Sequence, residues 1–507
     1  MKKRKKKLLS LVLSGVLLGG AVSSLTASAG EPYDSYNYDE WLEAVPSQSG
    51  YIADRSVSGY DLGIGAFDAP SDIFCDEDGI FYIVDTGNNR IAAVDTDFEN
   101  VIRVYDKFTM PDGSTTTLNE PKGVFISAEN GNMYIADNKN SRVLISDKEG
   151  NVISEITKPT SDVYDQKRTF LPQKVLADKA GNVYVVLGNI TTGAAMFNAQ
   201  GEFTGFYGAN RVEATAEIVG NYLKNLFTSE KKKSHKARNV PTGITSFDIE
   251  GDFIFTCTSS STQTTDTVKK LNAAGKNIFA NYTISYGDYT PMYDTSQNKV
   301  LKPAICDIDI AENGDINCLD FTTGRVFQYD KECNLLFITG TIARQLGGFD
   351  HVEALESYKE NLYVVDSSKD TVTIFVETSF GKIVHEAVSL FNEGYYEEAL
   401  EPWNEVLRRD GNYYAAYYGI ASALLRKGDY KGAMKYAKKI QAVGIYNKAF
   451  EGYRMEFLKS HFTLIILIIA AFAALLVFLS KQKKKRALAE AARLEEEKRK
   501  QEEKEEE

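Results

Sequence analysis

Two periodicities divide this chain. From Phe67 to about residue 377, apolar and polar positions alternate over short runs; past Phe380-Gly381 the apolar spacing lengthens to about 3.6. Alternation marks strands with one buried face, and the longer period marks amphipathic helices. The strand-forming runs share a grammar. Asp78-Gly79 turns into Phe81-Tyr82-Ile83-Val84-Asp85, which is followed by Asn88-Asn89-Arg90-Ile91. Roughly fifty residues on, a spacing typical of solenoids and propellers, Asn130-Gly131 turns into Met133-Tyr134-Ile135-Ala136-Asp137 and then Asn140-Ser141-Arg142-Val143. One such small sheet cannot bury both of its faces, whereas a ring of them can.

Counting the copies predicts six blades within 67–377. The first two occupy 67–98 and 118–150, and the third opens at Leu171-Pro172-Gln173-Lys174-Val175. The fourth opens at Pro241-Thr242-Gly243-Ile244, the fifth at Ile305, and the sixth contains Leu355 and Leu362-Tyr363-Val364-Val365-Asp366. Residues 30–66 form an N-terminal approach whose run Tyr51-Ile52-Ala53 suits a blade-closing strand. Between the third and fourth blades, 212–240 reads as an insertion: Ile218, Tyr222, Leu223 and Leu226 share a helix face, and Lys231, Lys232 and Lys233 follow. Over 378–460 the helical pattern itself repeats, since Gly394 and Gly428, Tyr396 and Tyr430, and Ala399 and Ala433 are each 34 residues apart.

The two ends carry different signals. Lys2 to Lys7 precede an apolar run and the small residues Ala27-Ser28-Ala29, the order of a secretory signal peptide over 1–29. Phe462 to Leu479 is eighteen residues without a charge, and Lys481, Lys483, Lys484, Lys485 and Arg486 follow directly. Positive residues on that side place the charged tail 480–507 in the cytoplasm. The expectation is a single-pass protein of a bacterial plasma membrane, with 30–461 outside.

Charge narrows the partners. The net charge of −12 understates the acidity of 30–461, because basic residues concentrate at both ends. An acidic body without a basic, aromatic groove excludes nucleic acid. The five cysteines are scattered; Cys306 and Cys318, flanking one turn, are the only pair whose spacing invites a disulfide.

The Pro-x-Gly opening, the Tyr-aliphatic-x-Asp strand and the Asn-x-Arg continuation resemble NHL-type repeat propellers. The 34-residue pattern resembles tetratricopeptide repeats. The first resemblance implies a propeller used most often as an interaction platform, with lactonases and lyases among the relatives. The lyases are expected to use histidine ligands. Of the four histidines here, His235, His351, His385 and His461, only His351 falls in the propeller grammar, so a histidine-built metal centre is excluded. No cofactor is expected, with an oxygen-liganded structural calcium left open.

Candidate residues follow from these patterns. Asp85, Arg90, Asp137, Arg142, Arg325 and Asp366 recur with the blades and read as structural, as do Gly394, Ala399, Gly428 and Ala433 in the helices. The clustered Tyr413, Tyr414, Tyr417 and Tyr418, and the basic Lys231, Lys232 and Lys233, are candidate partner contacts. Together these predict a non-enzymatic scaffold or accessory subunit of an envelope complex, binding proteins, carbohydrate or anionic headgroups. A calcium-dependent lactonase-like hydrolase and a channel-binding carbohydrate sensor are the alternatives.

Overall fold

The computed structural model describes residues 33–208, 243–259, 267–279, 285–289, 292–294 and 298–505. The stretch read above as a signal peptide and the one read as an insertion, with Lys231, Lys232 and Lys233, lie outside them. The alternating runs fold into a six-bladed β-propeller, and the 3.6-residue pattern into an α-helical module. The first blade is Asp72–Cys75, Phe81–Asp85, Arg90–Val94 and Val101–Tyr105, hydrogen-bonded in that order. The second and third, from Pro121 to Thr157 and from Pro172 to Tyr207, repeat this four-stranded antiparallel order, as does the fifth from Ile305 to Thr339. Three strands of the fourth blade are described, Ser246–Glu250, Phe253–Cys257 and Val268–Leu271. The outer strand of the sixth comes from the other end of the chain: Tyr51–Ser58 pairs antiparallel with Thr371–Glu377. Innermost strands touch in ring order, and the sixth, Val352–Tyr358, returns to the first.

Apolar faces meet between blades. Phe81, Ile83 and Val94 of the first blade pack with Val57, Tyr363, Val365 and Ile374 of the sixth. Tyr82, Val84 and Ile91 face the second blade's Val124, Ile126 and Ile135. The repeated aspartates hold the loops. Asp85 is fully buried; its Oδ1 accepts the Asp68 N–H at 2.8 Å, and its Oδ2 accepts from Arg90 Nε at 2.7 Å and Asn88 Nδ2 at 2.9 Å. Asp137 does the same with the Asn119 N–H, Arg142 and Asn140. Buried carboxylates persist only when paired and hydrogen-bonded, and these are. Asp366 has no arginine and accepts four backbone N–H groups, from Asp350, His351, Ser368 and Lys369. Arg325 turns away to Asp288, 2.5 Å off.

Helix α1 (Ser379–Asn392) leaves the sixth blade directly, with the Thr378 side chain capping it through the Gly381 N–H at 3.0 Å. Gly381 permits close approach: a Cβ there would lie 2.5 Å from the Gly50 carbonyl oxygen. Helix α2 (Leu400–Arg409) packs on α1, and Asp410 beyond it accepts the Ser47 hydroxyl at 2.6 Å. Residues up to Ala416 form one compact unit and Tyr417–Glu507 a second. The second contains most of α3 (Tyr414–Lys427), then α4 (Tyr430–Lys439) and α5 (Val443–Glu505). Gly394 and Gly428 turn with φ of 91° and 86°, and Ala399 and Ala433 are fully buried. The residues after α4, the apolar segment and the charged tail are one continuous helix, and no proline interrupts 443–505.

Candidate functional site

The propeller's innermost strands carry charge where a close-packed interior would be apolar. Asp72, Lys174 and Asp307 form one tier. A strand irregularity recurs just before Lys174 and Asp307, and also before Gly123 and Ala354, giving these four the same place in their blades. Lys174 Nζ lies 2.5 Å from Asp72 Oδ1 and 3.3 Å from Asp307 Oδ1. The second oxygen of each aspartate reaches the following blade: Asp72 Oδ2 accepts the Val124 N–H at 2.9 Å, and Asp307 Oδ2 the Leu355 N–H at 2.8 Å. Burial pushes the Asp72 carboxyl up to about 6 even against Lys174. Burial also opposes the charge on Lys174, but Asp307 and Asp72 outweigh it and hold the ammonium above its usual range.

Asp248, Asp309 and Glu356 form the second tier. The same staple holds its aspartates: Asp248 Oδ2 accepts the Ile310 N–H at 2.7 Å, and Asp309 Oδ1 the Ser357 N–H at 3.1 Å. None of the three has a cation partner among the ion pairs of the described residues. Burial raises all three carboxyls above the ordinary range; for Asp248 and Glu356 the charge of Asp309 adds to it. Burial and neighbouring negative charge thus both favour the protonated forms of this tier.

Both tiers line a void of about 40 Å³, water-sized and polar. A larger cavity of about 350 Å³ shares Asp248, Phe74 and Phe125 with it. There the Phe74 and Phe125 rings lie 5.1 Å apart, and Lys148 bridges Asp76 at 2.8 Å and Asp78 at 3.4 Å. Asp248 therefore faces both the void and a chamber of ligand size.

A second polar cluster lies where α1 meets the propeller. His385 Nδ1 contacts Glu377 Oε1, and Nε2 lies 2.7 Å from Gln328 Oε1 and 3.6 Å from Asp315 Oδ2. From Gln328, hydrogen bonds run through Asn317 to Asp309, at 3.0 and 2.7 Å. His351 is elsewhere, 3.4 Å from Glu353 with its ring edge-on to Phe321.

The tyrosine cluster separates. Tyr413 is fully buried, its hydroxyl donating to the Leu336 carbonyl at 2.8 Å beside Phe337 and Phe380. Tyr414, Tyr417 and Tyr418 are half-buried; Tyr417 carries the Lys439 ammonium 5.1 Å over its ring, and Tyr418 packs on the core of Ala421, Ala437 and Ile445. All five cysteines are free thiols, including Cys306 and Cys318. No three His, Cys, Asp or Glu residues are arranged to hold a metal ion among the described residues.

The channel aspartates escape the repeat grammar because they are what differs between blades. One signal was readable: Asp307-Ile308-Asp309 puts two carboxylates on one face of a strand that is otherwise core.

No family model matches the chain. A probable peptidyl-alpha-hydroxyglycine alpha-amidating lyase of Caenorhabditis elegans is 25% identical over 132 residues, which are 26% of this chain and 37% of that protein. The chain thus spans little more than a third of that relative's length. Among solved structures, virginiamycin B lyase from Staphylococcus aureus is 10% identical with a TM-score of 0.40, covering 65% of this chain and all of that one. Kuenenia stuttgartiensis hydrazine synthase is 10% identical with a TM-score of 0.35, covering 65% and 99%. Each of the three matches named here carries the name of an enzyme, which corrects the expectation of a non-enzymatic scaffold.

Proposed function

We propose that the propeller is a hydrolase for small, polyhydroxylated esters or lactones of the sugar-acid class, with its acid–base groups in the second carboxylate tier. The observation that carries this reading is the position of Asp248, a proton-holding carboxyl shared between the buried void and the 350 Å³ chamber. The chamber's Phe74 and Phe125 offer a face for a sugar ring, and Lys148 with Asp76 offers polar contacts at its edge. A tier with some carboxyls protonated and others ionised supplies both partners that hydrolysis needs. An ionised carboxylate takes the proton of the attacking water as the new C–O bond forms. Asp248 gives its proton to the alkoxide as the ring C–O bond breaks.

In this reading the blades are NHL-type and the helices tetratricopeptide-like. The segment Phe462–Leu479, within a helix long and apolar enough to cross a membrane, anchors a propeller that works outside the cell. The test is turnover of a panel of aldonolactones and sugar-acid esters by the full chain in detergent. Hydrolysis of at least one member is expected, and Asp248→Asn should lower kcat about 10²–10⁴-fold with the melting transition retained. No turnover across the panel, or an unchanged kcat in the variant, overturns the proposal.

A further inference from the structure

The second unit contains a cavity of about 730 Å³ that the proposed hydrolysis does not use. Its walls are the start of α4, with Tyr430 and Lys431, and one face of α5, with Tyr453, Glu456, Phe457, Lys459 and His461. The two helices approach closely there because Gly452 has no side chain: a Cβ on it would lie 2.4 Å from the Tyr430 ring. Lys431 Nζ sits 5.3 Å over the Tyr453 ring, and the Phe457 and His461 rings stack at 4.3 Å.

The next residue along α5 is Phe462, where the uncharged stretch begins. At ~1.5 Å per residue, Phe457 is ~7.5 Å above Phe462 and Tyr453 ~13 Å above it. A headgroup layer is ~5–8 Å deep on each side of the hydrocarbon, so Phe457 to His461 stand within it, while Tyr453, with the Lys431 ammonium over its ring, lies ~5 Å beyond its outer limit. Met455, Phe457 and Leu458 are 48%, 47% and 43% exposed on this same stretch of helix. Amphipathic aromatics with lysines at such a depth are the chemistry of a membrane interface.

We infer that this cavity binds the headgroup of an anionic phospholipid, resting on the reading of Phe462–Leu479 as a membrane anchor. Lys431 and Lys459 would hold the phosphodiester, with His461 beside it. Tyr430, Tyr453 and Phe457 would cover the glycerol backbone, and Glu456 and Ser460 would meet headgroup hydroxyls, which favours phosphatidylglycerol over phosphatidylcholine. Asp429, also on the cavity wall, is occupied by the Gly432 N–H at 2.9 Å and caps α4.

The experiment reconstitutes the full chain into vesicles of phosphatidylcholine alone and of an equal mixture with phosphatidylglycerol. It measures co-flotation, then the lipid retained per chain after detergent extraction. Wild type is expected to float with both vesicles and to retain phosphatidylglycerol selectively. Lys431→Gln with Lys459→Gln should still float and still melt as wild type, but lose at least tenfold of that retention. Flotation without selectivity, or retention unchanged in the double variant, overturns the headgroup site and leaves the anchor standing. Failure to float at all overturns the anchor, and this inference with it. Displacement of the lipid by millimolar inorganic phosphate would assign the cavity to the free ion and overturn the lipid claim.

Discussion

The two carboxylate tiers are built alike and differ by one residue. In both, an aspartate on an inner strand accepts a backbone N–H from the following blade, at 2.7–3.1 Å. The upper tier encloses Lys174, and its two aspartates share one cation. The lower tier sets Asp248, Asp309 and Glu356 together without one. The staple is therefore the structural part of the design and is common to both. What differs is the company of the carboxyls: an ammonium lies between the aspartates of the first tier, and among the described residues no ion pair holds the second. A charge met by a titrating proton is available for chemistry.

Removing Lys174 should break the comparison most severely. Lys174→Met leaves two buried carboxylates facing each other, and breaking a buried pair from one side costs about 3–5 kcal/mol. Chemical denaturation should show that loss, with much of it recovered when Asp307→Asn is added. A stability unchanged by Lys174→Met would mean that water, rather than the ammonium, meets the charge of this tier.

A smaller effect is expected one blade earlier. Gly123 occupies the tier position between Asp72 and Lys174, and a Cβ there would stand 2.6 Å from the Gln173 carbonyl oxygen and 3.0 Å from the Lys174 Cα. Both are backbone atoms and cannot swing aside. Gly123→Ala should cost about 1–3 kcal/mol by overpacking and displace Lys174 from its aspartates. Thermal melting measures the first effect. The second predicts that Lys174→Met adds less in this background than in wild type.

How much of this the sequence disclosed follows from what repeats. Asp85 with Arg90 and Asp137 with Arg142 recur at one offset because the first two blades tie the same loop, so the repeat was readable from them, and the ring of six from the strand runs that follow. The helical module was readable too, from Gly394 and Gly428 at equal places in the pattern. Lys174 recurs nowhere, and its meaning lies in being brought between aspartates of blades far apart in sequence. Tyr413 shows the other limit. Its neighbours in sequence are half-buried while it fills a fully buried place beside Phe337, and only the docking of α1 and α2 on the fifth blade decides which tyrosine does so. Repeats announce architecture, and the channel chemistry sits at the positions where the repeats disagree.

The gentlest test of the two tiers is acidity. An unfolded carboxyl titrates near 4, whereas burial raises Asp72 to about 6 and lifts Asp248, Asp309 and Glu356 above their ordinary range. Between those values the folded chain holds protons that the unfolded chain has released, so stability falls as pH rises. The contribution is greatest near pH 4 and is lost as pH climbs through the folded values. The midpoint of unfolding should accordingly decline from pH 5 to pH 8. Asp309→Asn keeps an oxygen for the Ser357 N–H but removes one ionisation from the lower tier. It should match wild type at pH 4 and exceed it by about 3 kcal/mol at pH 8, the worth of roughly two pKa units. Equal destabilisation at both pH values would show that Asp309 is ionised throughout, held by its hydrogen bonds from Ser357 and Asn317. The lower tier would then be a second set of structural staples, and its proton would have to be sought on Asp248 or Glu356.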